Sequence, residues 1–290
     1  MKKLGCMLMA VLMAVAVSGC SDKKEASENK ETEKKVTLIL DYLPNTNHTG
    51  FYVAKEKGFF KEEGLDVDII EPGDDSTSAT LVAANKGEFG VSYQEDVTYA
   101  RTAEEPLPIR AIATIIQHNT SGFVSLKKEN IKSPKDFEGK VYAGWQAPSE
   151  EAVVKAVMTA AKADFSKLTM VGADGSGFAS LGKSVDIQWE FEGWAVTKGR
   201  MEGYDLKYIP LRELDERLDY YTPVIITSEK MIKEDPETVQ KFMNAVKKGY
   251  EYAIENPDAA AEILSKYAPD YDLKFLKESQ KYLSSEYARD

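Results

Sequence analysis

The alternation of apolar and polar positions divides the chain into short strands and helices in regular succession. Residues 36–40 are apolar and β-branched and predict a buried strand, and residues 41–48, carrying Pro44, Asn45 and Asn47, predict a loop. A helix follows, with Thr49 as its cap, Phe51, Tyr52, Val53 and Ala54 as its apolar face, and Gly58 as its end. After a short FFKEE turn, residues 65–70 predict a second strand, which completes a βαβ unit. The pattern continues with a helix over 77–85, a strand over 89–92, a helix over 96–103 and an apolar run over 109–116.

A second series starts with a strand at 123–126 and a one-turn helix at 133–139, followed by a strand at 141–144 and a helix capped by Ser149. It continues with strands at 168–171 and 185–188, separated by a glycine-rich loop and short helix over 173–182, and with a helix from about 191. Residues 223–227 predict a strand returning to the first series. Three helices finish the chain, opened by Asp235 with Pro236, by Asn256 with Pro257, and by Asp272.

In an open α/β sheet, ligands bind beyond the carboxyl ends of the strands. The residues expected there are Asp41, Tyr42, Asn45, His48, Tyr93, Glu95, Gln117, Trp145, Trp189, Glu190, Trp194 and Tyr220. This aromatic, amide and acidic set suits a flat heterocycle, with rings sandwiching it and carboxylates or amides accepting from its N–H groups. Several members have a second reading. Asp41 serves equally as a helix cap, His48 as a structural hydrogen-bonding group, Trp145 as packing between lobes, and Tyr220 as part of a hinge. Glu190, between Trp189 and Phe191, is costly to bury without a partner.

The six arginines, Arg101, Arg110, Arg200, Arg212, Arg217 and Arg289, all fall away from the strand-to-helix switches, which disfavours an anion receptor. Of 290 residues, 37 are Lys or Arg and 48 are Asp or Glu, a net charge of -11 that makes nucleic acid a poor partner. The Gly175, Ser176, Gly177 run lacks the third glycine of a dinucleotide loop, and two histidines with one cysteine beyond the leader make a zinc site improbable, so no metal and no cofactor is expected.

The leader is residues 1–19, in which Lys2 and Lys3 precede an apolar run too short to span a bilayer, the layout of a signal peptide. Val17, Ser18, Gly19 and Cys20 resemble a bacterial lipobox, so Cys20 is the expected lipidation site and residues 20–35 a polar, disordered tether. Removing the leader leaves 35 basic against 48 acidic residues, a net -13.

The lipobox, tether and two α/β series resemble the solute-binding lipoproteins of bacterial ABC importers. The segments NTNHTG, SYQEDVTYAR, IIQHNTSGF, KSPKDFEGK and LDYYTPVIITSEKMI are similar to the branch that binds aminopyrimidine precursors of thiamine, over essentially residues 36–290. The resemblance implies a two-lobed, periplasmic-binding-protein-like type II fold, each lobe a mixed sheet flanked by helices, with lobe 1 over 36–126 and 224–290 and lobe 2 over 127–223. It implies a monomer, lipid-anchored on the extracytoplasmic face of the cell membrane, binding a formylaminomethyl or hydroxymethyl 2-methyl-4-aminopyrimidine for an ABC permease and its ATPase. A receptor for another heterocycle, such as a flavin precursor, is the nearest alternative.

The branch is also similar to the eukaryotic thiamine-pyrimidine synthase, which carries a cysteine-rich run and a lysine that holds pyridoxal phosphate. Here the matching segments are TPVIITS and SYQEDV, without those groups, so a binding protein rather than an enzyme is expected. The family usually continues past the position of Asp290 into a further aromatic-rich helical stretch.

Overall fold

Ten strands form two mixed five-stranded sheets in a computed structural model that describes residues 33–73 and 76–287. The expected signal peptide, the lipidation site Cys20 and most of the expected tether lie outside the described residues. Residues 33–287 belong to one compact unit.

The first sheet takes β1 (Lys34–Ile39), β2 (Leu65–Ile70), β3 (Phe89–Ser92), β4 (Ile109–Thr114) and β10 (Val224–Ser228), in the order β2-β1-β3-β10-β4. β1 is parallel to β2 and β3, joined by βαβ crossovers through α1 (Thr49–Glu56) with α2 (Phe59–Glu62), and through α3 (Ser78–Ala83). β10 returns antiparallel between β3 and β4. Strand β1 begins at Lys34, inside the expected tether, because Lys34 and Lys35 continue the ladder to Leu65 and Asp66.

The second sheet takes β5 (Ser121–Leu126), β6 (Val141–Gly144), β7 (Thr169–Gly172), β8 (Ile187–Phe191) and β9 (Leu206–Pro210), in the order β7-β6-β8-β5-β9. β5 pairs antiparallel with β8 and β9, so the chain crosses between the sheets before Ser121, upstream of the expected boundary at 126. β9 is absent from the sequence expectation altogether.

Each sheet is covered on both faces, as apolar central strands require. One face of the first sheet packs Leu38, Phe89 and Ile225 against α1, α9 (Pro236–Glu255), α10 (Pro257–Leu264) and α11 (Leu273–Ser284). Its other face packs Ile39, Ile109 and Ile226 against α3 and α4 (Gln94–Thr102). The second sheet packs Phe123, Tyr142 and Ile187 against α5 (Pro148–Ala160). Its opposite face packs Val124 and Ala143 against Phe178 and Val196. The three closing helices start where expected: Asp235 accepts from Thr238 N at 3.3 Å, and Asp272 from Lys274 N at 2.8 Å, with Pro236 and Pro257 in the first turns. Among the described residues no helix is long and apolar enough to cross a membrane.

Helices α1 and α9 cross at glycines. A Cβ on Gly249 would lie 2.0 Å from the Gly50 carbonyl oxygen, and one on Gly50 would run into the Tyr250 ring. Gly249→Ala is therefore expected to destabilise the protein by about 2–3 kcal/mol, lowering the calorimetric midpoint by several degrees. An unchanged midpoint would show that the helices separate at little cost.

Two segments cross between the sheets, residues 115–120 and 219–223. They are tied by Ile115 N to Pro223 O (2.9 Å), Thr222 N to Ile116 O (3.2 Å) and Asn119 N to Asp219 Oδ1 (2.9 Å), with His118 Nδ1 2.7 Å from Asp219 Oδ2. Side-chain caps on crossing backbone fix where the chain can bend.

Candidate functional site

A cavity of about 510 Å³ lies where the carboxyl ends of both sheets face one another. Of the twelve residues expected at the strand ends, Asp41, Tyr42, Asn45, Tyr93, Trp145, Trp189, Glu190 and Trp194 line it. His48, Glu95, Gln117 and Tyr220 do not.

The loop after β1 supplies one wall. Asn45 opens a 3-10 turn, Thr46–His48, by accepting from Asn47 N at 2.9 Å, so the helical segment starts there rather than at Thr49. His48 is fully buried. Its Nδ1 accepts from Asn45 N (3.2 Å), which places the ring proton on Nε2, and Nε2 donates to Asp41 Oδ1 at 2.5 Å. His48 is thus a positioning residue behind the wall. Burial pushes the Asp41 carboxyl up, but the His48 ring and the hydroxyl of Tyr93 outweigh it and hold Asp41 below its ordinary range. The same contact, with burial as the larger cause, raises the Tyr93 hydroxyl well above its usual value. Tyr93 stays neutral and lines the cavity.

The second lobe supplies the opposite wall. Trp145 and Trp189 stand with ring centroids 5.0 Å apart and tilted by 56°, and Trp145 is half exposed at the mouth. The loop carrying Trp145 is fixed by Glu150, which sequence reasoning missed. Glu150 is buried at the start of α5, where it accepts from Tyr142 Oη (2.6 Å), Trp145 N (3.2 Å) and Gln146 N (2.6 Å). This replaces the expected Ser149 cap, and α5 itself begins at Pro148. Gly144 makes room for it, since a Cβ there would lie 1.7 Å from Glu150 Oε1.

Trp194 belongs to a single π-helical turn, Glu192–Val196, of the kind that recurs at functional sites. It meets Tyr271 edge to face at 4.8 Å. Tyr271 and Leu283, absent from the residues expected at the strand ends, also line the cavity. They do so because α11 bridges the lobes: Ser279 bonds Thr46 Oγ1 at 2.6 Å and donates to Gly193 O, and Tyr282 Oη donates to Glu192 Oε2 at 3.2 Å.

Three successive residues of β8 carry polar side-chain groups without partners among the described residues. Glu190 has no hydrogen-bond or ion-pair partner among the described residues, and burial pushes its carboxyl up to about 7. Trp189 Nε1 and Gln188 Oε1 are buried without partners, although Gln188 Nε2 donates to Gly177 O at 3.1 Å. Buried polar atoms are normally paired, so unpartnered polar groups on three successive residues that line a cavity mark it as a recognition surface.

Glu95, Gln117 and Tyr220 belong to the crossing region. Tyr220 Oη donates to Glu95 Oε1 at 3.5 Å and Glu95 Oε2 is buried without a partner. Burial, opposed by its own backbone amide and aided by Asp96, pushes Glu95 up to about 7. Gln117 is half-buried in the crossing segment.

The architecture, two mixed sheets flanked by helices with a cleft between their carboxyl ends, is the two-lobed periplasmic-binding-protein type II fold. The periplasmic aliphatic sulphonate binding protein of Escherichia coli superposes with a TM-score of 0.68 at 10% identity, over 87% of this chain and 79% of that one. The nitrate-binding protein of Synechocystis PCC 6803 superposes at 0.65 and 14%, over 86% and 70%. The chain belongs to the NMT1/THI5-like family, whose profile matches residues 45–260. It is 29% identical over 264 residues to the formylaminopyrimidine-binding protein of Halalkalibacterium halodurans, covering 89% of this chain and 77% of that protein. It is 25% identical over 242 residues to a 4-amino-5-hydroxymethyl-2-methylpyrimidine phosphate synthase of Saccharomyces cerevisiae, covering 77% and 68%.

Proposed function

We propose that this protein is the substrate-binding component of an ABC importer, held by a lipid anchor on Cys20 at the extracytoplasmic face, and that it delivers a thiamine-precursor aminopyrimidine to a permease. The observation that carries the reading is the unpartnered Glu190 among tryptophans in a cleft shared by both lobes. A 4-aminopyrimidine offers an exocyclic amine and an adjacent ring nitrogen, which a carboxyl group engages through both oxygens. Trp145 and Trp189 supply apolar faces for the ring, and Tyr93 faces them from the other lobe. A ligand touching both walls favours the closed arrangement about the 115–120 and 219–223 crossings, and only the closed form is then presented to the permease.

The family also includes synthases, so an enzyme is the second reading. The lining of the main cavity contains no lysine to form a Schiff base with pyridoxal phosphate, and the residues present do not fit that group. Absorbance of the purified protein after incubation with pyridoxal phosphate, before and after borohydride, separates the two readings.

The binding reading is tested by a thermal-shift panel of hydroxymethyl, aminomethyl and formylaminomethyl 2-methyl-4-aminopyrimidines with thiamine, riboflavin and taurine. A ligand at about a hundred times its dissociation constant adds about 2.7 kcal/mol and raises the midpoint by several degrees. A shift with a pyrimidine is expected. A shift with riboflavin or taurine alone would replace the ligand class while keeping the receptor.

A further inference from the structure

Past Glu190 and Trp194 the cleft opens into a second compartment of about 300 Å³. Gly175, Gly177, Glu190, Trp194, Ala195 and Tyr271 line both spaces. Three of these six carry a methyl or nothing. A Cβ placed on Gly175 or Gly177 would meet no atom within 4 Å, so the passage between the compartments is open on that side.

The second compartment differs from the first in holding a cation. Lys198, on the short helix α6 (Thr197–Met201) that continues the π turn, places its Nζ 5.7 Å from the centroid of the shared Tyr271 ring and 3.9 Å from Glu202 Oε1. Both partners of that ion pair are half exposed, and at this separation the pair contributes little and leaves the ammonium donors free. One donor in a compartment also lined by the Glu202 carboxylate complements an amide: its carbonyl accepts from the ammonium, and its N–H donates to Glu202.

We propose that this annex holds the substituent of the bound pyrimidine, and that Lys198 selects an acylaminomethyl tail over a hydroxymethyl one by donating to the acyl oxygen. The proposal rests on the reading of the main compartment as an aminopyrimidine site. A hydroxyl group donates and accepts at a single atom, whereas an acylamino group carries its acceptor and its donor on separate atoms that meet the ammonium and the carboxylate together.

The test is isothermal titration of wild type and Lys198→Ala with the hydroxymethyl and formylaminomethyl forms of 2-methyl-4-aminopyrimidine. Wild type is expected to bind the formylaminomethyl form about tenfold more tightly, from one hydrogen bond to a charged group. Lys198→Ala is expected to lose about that factor for the formylaminomethyl form and to bind the hydroxymethyl form as wild type does. An equal loss for both ligands, or none for either, overturns the role of Lys198 while leaving the aminopyrimidine reading in place. Failure of wild type to bind either ligand overturns that reading and the annex with it. Because Lys198 is half exposed and outside the core, the variant folds, and its thermal midpoint is the control.

Discussion

Glu190→Ala is expected to weaken aminopyrimidine binding by about two orders of magnitude, with the thermal midpoint of the free protein unchanged or raised. Two hydrogen bonds to one carboxyl group are lost, roughly 3 kcal/mol together, while a half-buried carboxyl without a protein partner is removed from the free cleft. The pH dependence of binding carries the same chemistry further. In the paired arrangement the exocyclic amine donates to one oxygen of Glu190, and the other oxygen shares a single proton with the ring nitrogen. The complex therefore retains one proton. Below its raised value of about 7 the Glu190 carboxyl already carries that proton. Above it the proton has to be taken up, so affinity falls by about tenfold per pH unit. Glu190→Gln keeps the two-point geometry without charge assistance, and is expected to bind about tenfold more weakly than wild type with a flat profile. Isothermal titration across this range decides the matter; wild-type affinity in Glu190→Ala, or a flat wild-type profile, removes Glu190 from the ligand.

The two series of strands and helices are legible because central strands covered on both faces read as continuous apolar runs, as in residues 36–40 and 223–227. Strand β9 was not legible. Its Leu206 and Ile209 are buried, Lys207 is exposed and Pro210 ends it, and an edge strand of this length leaves too weak a pattern. Nor does periodicity tell which sheet a strand joins, so the expected lobe boundary at 126 falls after β5 rather than before it; the place of β5 comes from pairing with β8 and β9, both distant in sequence.

The cleft follows the same division. Strand ends carrying aromatic or acidic residues were found, as Tyr93, Trp189 and Glu190 show. Residues brought there by tertiary packing were not. Glu150 beside Glu151 reads as an ordinary charged first turn, and only Tyr142 and Gly144 of the neighbouring strand reveal why one of the two is buried. Leu283, inside α11 with the spacing of a packing helix, and Tyr271, just before it, reach the cleft only because that helix lies across both lobes. His48 takes the second of its two readings, a buried structural hydrogen-bonding group, while Asp41 bonds to it and to Tyr93 and also lines the cavity.

The ligand-free protein is expected to be most stable near pH 5 and to lose stability steadily toward about pH 8, with a total fall of several kcal/mol at most. Glu190 and Glu95 have ordinary values of 4.5 and are each pushed to about 7 in the folded state, in both cases chiefly by burial. An acid whose value is raised on folding keeps its proton longer in the folded chain, so its stabilising contribution is complete below 4.5 and is lost as pH rises through about 7. Each group accounts for roughly 3 kcal/mol as a ceiling, reduced by water entering the cleft. Asp96, raised by burial and by Asp41, acts in the same direction from a lower starting value. Asp41, which is held below its ordinary 3.8, acts in the opposite sense, but only in more acidic solution, so it does not cancel the slope in this window. Calorimetric midpoints measured from about pH 5 to 8 on wild type and on a Glu95→Gln, Glu190→Gln double variant separate these contributions. The variant should show a much flatter profile and a higher midpoint at the alkaline end, because an amide in either position is never forced to ionise. A wild-type midpoint that does not fall over this interval, or a variant that falls in parallel with it, would mean that solvent reaches both carboxyl groups freely and that the open cleft is wetter than the burial of Glu95 and Glu190 implies.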